Sequence, residues 1–157
     1  MLTAYIAAPL FNQAEKAFNL TVDAELRAAG LKTYLPQRDA GEGAAMVARG
    51  MDPAEVRDTL FRADIDALRA CDLLVMILDG RVPDEGACVE LGIAYALNKP
   101  CFGLQTDIRR FADQSNNLMI DAILDTTVHT VKDLVRLLTH IQNNAVTAPD
   151  TLTEVYG

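Results

Sequence analysis

Short apolar runs alternate with segments of helical periodicity along most of this 157-residue chain. This alternation limits the possible folds more than any other feature of the sequence. Five runs predict strands, at residues 2–8, 31–35, 72–78, 101–105 and 126–131. Alternating strands and helices are typical of a parallel sheet with helices on both faces. We therefore expect an α/β fold, a Rossmann-like or flavodoxin-like three-layer domain with a parallel sheet of about five strands.

Start and stop signals bound the connecting helices. The first, residues 14–29, has Asn12 as a possible cap and Gly30 as a stop, and Asp52-Pro53 starts a helix that reaches residue 70. Further helical segments are expected at residues 86–98 and 132–143, with a helical turn at 118–124. The remaining stretches predict a loop with a short helix at 37–50, a polar loop at 106–117 and an irregular tail at 144–157. One domain over residues 1–157 is expected.

Composition excludes several classes of function. Asp and Glu number 22 against 14 Lys and Arg, a net charge of −8, which argues against a partner bound through nucleic-acid phosphates. The three cysteines, an odd number without a CxxC pair, predict buried free thiols, and neither of the two histidines neighbours a cysteine, so no metal site is expected. No basic leader precedes the first apolar residues and no apolar run approaches about 18 residues, so we expect a cytoplasmic protein without a membrane span.

Glu90 is the only charged residue in the segment 86–98, and Gly86, Ile93 and Leu97 share its helical face. A lone carboxylate in an apolar stripe is costly unless it has partners or a function. The residue could cap a buried backbone group, or it could be a catalytic carboxylate.

Asp64 is a second carboxylate of this kind. Its neighbours three and four positions away are all apolar, whereas Asp66 has arginines at such positions and is expected to face solvent. Two carboxylates in apolar stripes suggest a nucleophile and a general acid, the acid having a pKa raised by burial. The alternative is that Asp64 binds a backbone amide or caps a neighbouring helix. Asp84, at the start of the next helix, has the position of a helix cap.

Ligands of such folds bind at the carboxyl ends of the parallel strands. That rule places residues 7–11, the segment from Gln37 onward, residues 79–90 and the segment from 106 onward along one rim. Neither a G-x-G-x-x-G loop nor a G-K-[ST] loop follows the first strand, so the glycines of a dinucleotide or phosphate site are missing.

The chain resembles the nucleoside 2-deoxyribosyltransferases. The resemblance rests on four short pieces in a shared order and spacing, and it covers the chain from residue 3 to residue 119. The pieces are Thr3-Ala4-Tyr5-Ile6-Ala7-Ala8-Pro9-Leu10-Phe11, Asp64 upstream of Cys71-Asp72-Leu73-Leu74-Val75, residues 84–92, and Asn117-Leu118-Met119. One departure is that Gly157 follows Tyr156, whereas family members often end in a Tyr whose terminal carboxylate lies near the site.

The resemblance implies transfer of a 2-deoxyribosyl group between nucleobases without a cofactor. Glu90 would be the nucleophile, Tyr5 would hydrogen-bond it and Asp64 would act on the base side. Asp84 and Asn117 would bind sugar hydroxyls. Asn117 and Met119 would reach in from a neighbouring subunit, so a homo-oligomer is expected, with 2′-deoxynucleosides and free nucleobases as its partners.

Three further expectations concern the site. The helix field is expected to keep Glu90 ionised. Phe11 is expected either to stack on the base or to lie in the core, and Met119, by composition alone, could also be a core residue. Gln37, with Arg38 and Asp39, is expected to line the base pocket, although neither the preferred base nor the oligomer size follows from the sequence.

Two alternatives remain. The related 2′-deoxynucleoside 5′-phosphate N-hydrolases resemble one another in having Ser where this chain has Asp84, and they have a Gly-Ser and an Arg in the early turn, which here reads Ala7-Ala8-Pro9-Leu10-Phe11. A carboxylate at position 84 would repel a phosphate, which favours an unphosphorylated nucleoside. The other alternative is a non-catalytic nucleoside or nucleotide sensor.

Overall fold

The computed structural model describes residues 1–41, 43–107 and 116–147. The strands are β1 (Thr3–Ala7), β2 (Lys32–Tyr34), β3 (Leu73–Ile77), β4 (Cys101–Leu104) and β5 (Thr126–Val128). The helices are α1 (Gln13–Ala28), α2 (Pro36–Asp39), α3 (Gly43–Ala48), α4 (Pro53–Ala70), α5 (Glu85–Ala96), α6 (Leu118–Ile123) and α7 (Val131–Thr147).

The strands form one parallel sheet in the order β2-β1-β3-β4-β5. This confirms the predicted five-stranded α/β fold, and the order is that of flavodoxin-like domains. The chain reverses its direction of winding between β1 and β3, so the loops after these two strands diverge and leave a crevice at their carboxyl ends.

Each face of the sheet packs against its own set of helices. On β1 the side chains of Ala4 and Ile6 join a core formed with α1 and α7, and those of Tyr5 and Ala7 join a second core formed with α4, α5 and α6. This division follows from the alternation of side chains along a strand. It places Tyr5 on the face that carries α4 and α5, the helices of Asp64 and Glu90.

The predicted helix starts agree with the structure. Asn12 caps α1 in a capping box, in which its Oδ1 accepts a hydrogen bond from the Glu15 amide at 3.0 Å and Glu15 accepts one from the Asn12 amide at 3.2 Å. Asp52 caps α4, with Pro53 at the first helical position. Gly30 follows α1 with a φ of 87°, a conformation that favours glycine.

Two sequence assignments need correction. Residues 37–50 hold two short helices, α2 and α3, where a loop with one short helix was expected. The last helix extends to Thr147, so residues 144–147 are helical and not part of an irregular tail. The core of the polar loop, residues 108–115, and the tail from 148 onward lie outside the described residues.

No helix in the described ranges has both the length and the apolar character that crossing a bilayer requires.

Gly103 in β4 is required by close packing. A Cβ at this position would lie 2.7 Å from Thr127 Oγ1 and 2.9 Å from Leu78 Cδ1.

Gly103→Ala should therefore lower the free energy of unfolding by about 1–3 kcal/mol, the usual cost of overpacking a core. Gly92→Ala is the matched control, because nothing lies within 4 Å of a Cβ there and Ala favours a helix interior by about 0.5–1 kcal/mol. Urea unfolding measures both, and equal effects of the two variants would contradict this packing.

Candidate active site

A tyrosine of the sheet and a glutamate of α5 form the centre of the site. Tyr5 is fully buried, and its Oη donates a hydrogen bond of 2.7 Å to Glu90 Oε1. The contact follows from the fold, because the side chain of Tyr5 points to the face on which α5 packs. The structure thus brings together two residues that are 85 positions apart in the sequence.

A second tyrosine links Asp64 to this pair. Tyr34 in β2 lies directly opposite Tyr5 in the register of the two strands, and the two rings stack with their centroids 5.2 Å apart. The Tyr34 hydroxyl donates a hydrogen bond of 3.1 Å to Asp64 Oδ1. We call these four side chains, Tyr5, Tyr34, Asp64 and Glu90, the Tyr–carboxylate cluster.

The sequence analysis missed Tyr34. The available signal was that Tyr34 is the fourth residue of the second predicted strand, as Tyr5 is of the first. That signal becomes informative only once β1 and β2 are known to be parallel neighbours in this register.

Burial makes Glu90 a weak acid, and its pKa rises to about 7. The charges of Asp64 and Asp84 raise the pKa further, and the hydrogen bond from Tyr5 opposes the rise. The expectation that the helix field keeps Glu90 ionised is therefore wrong. Glu90 lies beyond the first turn of α5, where that field has decayed.

Burial also shifts the pKa values of the other three members of the cluster. Burial raises the pKa of the Asp64 carboxyl, although the nearby hydroxyls of Tyr34 and Tyr5 act in the opposite direction. Burial also raises the pKa of both tyrosines, and the nearby carboxylates add to this effect. Both phenols therefore remain protonated at neutral pH, as hydrogen-bond donors.

The side chain of Asp64 is only partly buried. Phe61, one of the neighbours that placed it on a core face, is 62% exposed, so the buried stripe of α4 is narrower than the sequence suggested. The side chain of Asp66 is 76% exposed and pairs with Arg69, which agrees with the expected solvent-facing position.

Asp84 caps α5, as its position suggested. Its Oδ1 accepts a hydrogen bond of 3.0 Å from the Ala87 amide. It also lines a cavity of about 680 Å³ between the loops that follow β1 and β3, at the crevice where the winding reverses. Phe11 lines the same cavity and is 79% exposed, so the alternative that placed Phe11 in the core is wrong.

A second cavity, of about 380 Å³, has Asp64 in its wall together with Gln37 and Leu60. The Gln37 side chain is held in place, because its Oε1 accepts a hydrogen bond from Asn19 Nδ2 at 2.9 Å and its Nε2 donates one to the Lys16 carbonyl at 3.0 Å. Gln37 thus lies beside Asp64 as part of a fixed wall.

Arg38 and Asp39 do not share this position. Arg38 donates hydrogen bonds to Asp23 at 2.6 Å and to both carboxylate oxygens of Asp39. These ion pairs lie on the α1 side of β2, in the wall of a different depression. Of the three residues expected to line the base pocket, Gln37 alone therefore lies in the wall of the cavity that Asp64 lines.

Asn117 and Met119 lie at the start of α6, and no hydrogen bond among the described residues joins either of them to the Tyr–carboxylate cluster. Asn117 Oδ1 accepts a hydrogen bond of 2.9 Å from the Met119 amide, so Asn117 caps the helix. Met119 is 64% exposed and Leu118 is 74% exposed, which excludes a core role for Met119.

All three cysteines are free thiols: Cys71 and Cys101 are buried and Cys88 is partly buried. Within residues 1–41, 43–107 and 116–147, no three His, Cys, Asp or Glu side chains are grouped closely enough to hold a metal ion.

The model of the family described as nucleoside 2-deoxyribosyltransferase matches residues 4–137. The chain belongs to this family. The match spans β1 to α7, so all four side chains of the Tyr–carboxylate cluster lie within it. Comparison with curated proteins gives no significant match.

Solved structures agree with this membership. A conserved protein from Enterococcus faecalis V583 is 28% identical, with a TM-score of 0.74 over 90% of this chain and 99% of that chain. A 2-deoxyribosyltransferase from the psychrotolerant bacterium Bacillus psychrosaccharolyticus is 25% identical, with a TM-score of 0.70 over 85% of this chain and 90% of that chain. A CMP N-glycosidase from Clostridium botulinum, 18% identical with a TM-score of 0.54 over 87% of this chain and 97% of that chain, shares the fold.

The raised pKa of Glu90 predicts a dependence of stability on pH. The group releases its proton near pH 7 in the folded protein and near 4.5 in the unfolded chain, so the wild type loses stability as the pH rises through this window. Glu90→Gln should therefore be more stable than wild type by about 1–3 kcal/mol at pH 8, and the gain should disappear towards pH 4.5.

Chemical denaturation at several pH values measures this difference. Glu25→Gln, which changes an exposed carboxyl of α1, is the control and should show no such trend. A stability gain in Glu90→Gln that stays constant from pH 5 to pH 8 would mean that Glu90 ionises normally.

Proposed function

We propose that this protein transfers a 2-deoxyribosyl group from one nucleobase to another, through a covalent intermediate on Glu90. The observation that carries the proposal is the partly buried Glu90 carboxyl fixed by the hydroxyl of Tyr5 at 2.7 Å. Membership in the deoxyribosyltransferase family supports the same chemistry. The substrates would be 2′-deoxynucleosides and free nucleobases, and the reaction needs no cofactor because each step transfers only the sugar and a proton.

In the first step, a Glu90 oxygen attacks C1′ of the donor while the C1′–N bond breaks through an oxocarbenium-like state. The bonding electrons leave with the base, and Asp64 supplies a proton to it. Among the described residues, only Tyr5 donates a hydrogen bond to Glu90, and it does so at Oε1. We therefore assign the attack to Oε2.

In the second step, a nitrogen of the incoming base attacks C1′ and displaces Glu90, while Asp64 takes the proton that this base loses. Two inversions give retention at C1′. Water in place of the second base gives hydrolysis as a side reaction. A pKa of about 7 leaves roughly half of Glu90 ionised at neutral pH, and its basicity makes it a better nucleophile than a solvent-exposed carboxylate.

The two cavities suggest how the substrate is placed. Asp64 and Gln37 share the wall of the smaller cavity, which supports base binding there. Asp84 and Phe11 share the wall of the larger one, where Asp84 would accept a hydrogen bond from the 5′-hydroxyl and Phe11 would cover the nucleoside. Asp84 can do this while capping α5, because the cap engages only Oδ1 among the described contacts.

We further propose a homo-oligomer in which Asn117 and Met119 complete the site of a neighbouring subunit. Support comes from apolar side chains that the single chain leaves exposed: Met119 at 64%, Leu118 at 74% and, on α5, Val89 at 60%. Exposed apolar patches mark contact surfaces.

The free thiols support a reducing compartment such as the cytoplasm. We also propose that residues 1–157 form one domain.

The principal alternative is an N-hydrolase acting on 2′-deoxynucleoside 5′-phosphates. The fold is shared with a protein described as a CMP N-glycosidase, so this architecture is compatible with nucleotide cleavage in another protein. The Asp84 carboxylate at the cavity wall disfavours a phosphate here. A non-catalytic sensor is the other alternative, and it would bind nucleosides without turnover.

Glu90→Gln should abolish base exchange while leaving the fold and nucleoside binding intact. Removal of a nucleophile costs about 10³-fold or more in rate. The assay incubates the protein with deoxyinosine and adenine and follows the formation of deoxyadenosine. Glu25→Gln serves as the control for the loss of one carboxylate. Exchange at a near-normal rate in the Glu90→Gln variant would eliminate the covalent mechanism, and binding without turnover in the wild type would favour the sensor.

Asp84→Ser tests the selection of nucleosides over nucleotides. Ser also caps helices well, so the substitution removes the charge and keeps the cap. A carboxylate and a phosphate about 4 Å apart repel by roughly 4 kcal/mol at an effective dielectric of 20, of which solvent screening leaves a part. Wild type should prefer deoxyinosine to its 5′-monophosphate by orders of magnitude in kcat/KM, and the variant should narrow this ratio. An unchanged ratio would mean that Asp84 only caps the helix and does not select nucleosides over nucleotides.

Subunit mixing tests the shared site. Glu90→Ala and Asn117→Ala proteins should each be inactive, and their mixture should recover part of the activity because some hybrid sites contain both intact residues. Subunit exchange is verified by native mass spectrometry of differently tagged chains. A mixture that exchanges subunits and stays inactive would show that each site is built within one chain.

A further inference from the structure

Within the Tyr–carboxylate cluster, Tyr34 contacts both Tyr5 and Asp64, but the proposed reaction gives it no role. Its ring stacks on Tyr5, and its hydroxyl hydrogen-bonds Asp64. We propose that Tyr34 is a positioning residue for Asp64, whose hydroxyl decides which carboxyl oxygen carries the proton that passes to the leaving base. The inference rests on the proposed function and adds a residue to it.

The sheet fixes the position of the Tyr34 hydroxyl. β2 pairs with β1 in a register that sets Tyr34 against Tyr5, and the stacked rings are inclined by only 21°. Tyr5 is fully buried and is itself tied to Glu90. The Tyr34 ring therefore has little freedom to turn, and its hydroxyl meets Asp64 Oδ1 from a fixed direction at 3.1 Å.

This hydrogen bond distinguishes the two oxygens of Asp64. A phenol has one proton to donate, and Tyr34 gives it to Oδ1. A proton on the Asp64 carboxyl is then favoured on Oδ2, to which no described residue is seen to donate. Tyr5 lies close enough to interact with Asp64, but its proton is engaged by Glu90 at 2.7 Å.

The same bond stabilises the product of proton transfer. When the Asp64 Oδ2–H bond breaks, the proton moves to a base nitrogen, the electrons of the C1′–N bond go to the base, and a charge forms on the Asp64 carboxylate. A hydrogen bond to an ionised group is stronger than one to a neutral group. Tyr34 therefore makes Asp64 a stronger acid in the first step and orients it to take a proton from the second base.

The alternative is that Tyr34 serves only to pack against Tyr5. Tyr34→Phe separates the two roles, because Phe keeps the ring and its stacking and loses only the hydroxyl. Tyr95→Phe is the matched control, since Tyr95 is 60% exposed on α5. Both variants should unfold cooperatively and keep the wild-type oligomeric state.

The kinetic test compares two donors. With deoxyguanosine, whose base needs a proton to leave, Tyr34→Phe should lower kcat/KM by about 10- to 100-fold, the equivalent of one hydrogen bond to a charged group. With N7-methyl-deoxyguanosine, which already carries the positive charge, the loss should be less than about threefold. Equal losses on the two donors, or no loss on either, would overturn the positioning role.

A second measurement does not depend on turnover. The carboxyl carbon of Asp64, followed by ¹³C NMR during a pH titration of the free protein and assigned with Asp64→Asn, should show a higher pKa in Tyr34→Phe than in wild type. An unchanged pKa would contradict the inference. A wild type that shows this Tyr34 effect without any base exchange would instead refute the proposed function and leave the Tyr34–Asp64 coupling intact.

Discussion

The hydrogen bond from Tyr5 to Glu90 is the interaction on which the account of this protein depends. A carboxylate inside a protein loses hydration, and the resulting cost appears here as a Glu90 pKa of about 7. Tyr5 offsets part of that cost, since it offers a fixed donor that burial and the neighbouring carboxylates keep protonated. The sheet holds the donor and α5 holds the acceptor, so the contact exists only in the folded chain.

The remaining features extend from this contact. Parallel pairing of β1 and β2 places Tyr34 beside Tyr5, and the Tyr34 hydroxyl donates a hydrogen bond to Asp64 of α4. The reversal of winding between β1 and β3 opens the larger cavity, at whose wall Asp84 both caps α5 and presents its charge. A buried sheet face and two helices thus supply the proposed nucleophile, the proposed acid and the two tyrosines that hydrogen-bond them, from positions between residues 5 and 90.

Much of the fold followed from local patterns in the sequence. Strand runs, caps such as Asn12 and Asp52, and the stop at Gly30 are short-range signals, and the structure agrees with them. The helices α2 and α3 were harder to foresee, because four to six residues are too few for periodicity to be recognised. The ion pair of Arg38 with Asp23 depends on a contact between α1 and α2, which adjacency to Gln37 could not indicate.

The candidate site residues that the sequence singles out are those whose charge contrasts with apolar neighbours. Glu90 and Asp64 were identifiable because each is a charge within an apolar pattern, whereas Tyr34 lies in a strand that tolerates Tyr without further explanation. The pKa of Glu90 was misjudged since its helical position says nothing about how deeply other elements bury it. The burial of Glu90 depends on contacts between secondary-structure elements, which the pattern along one helix does not show.

The most direct test of the central claim is a search for the covalent intermediate. The wild type would be mixed with deoxyinosine without an acceptor base, quenched with acid within one turnover, digested with trypsin and analysed by mass spectrometry with fragmentation. The account predicts a 2-deoxyribosyl adduct on Glu90, in the peptide that begins at Val82, which disappears when adenine is added before the quench. An exchange-competent enzyme that never carries this adduct, and whose product is inverted at C1′, would contradict it.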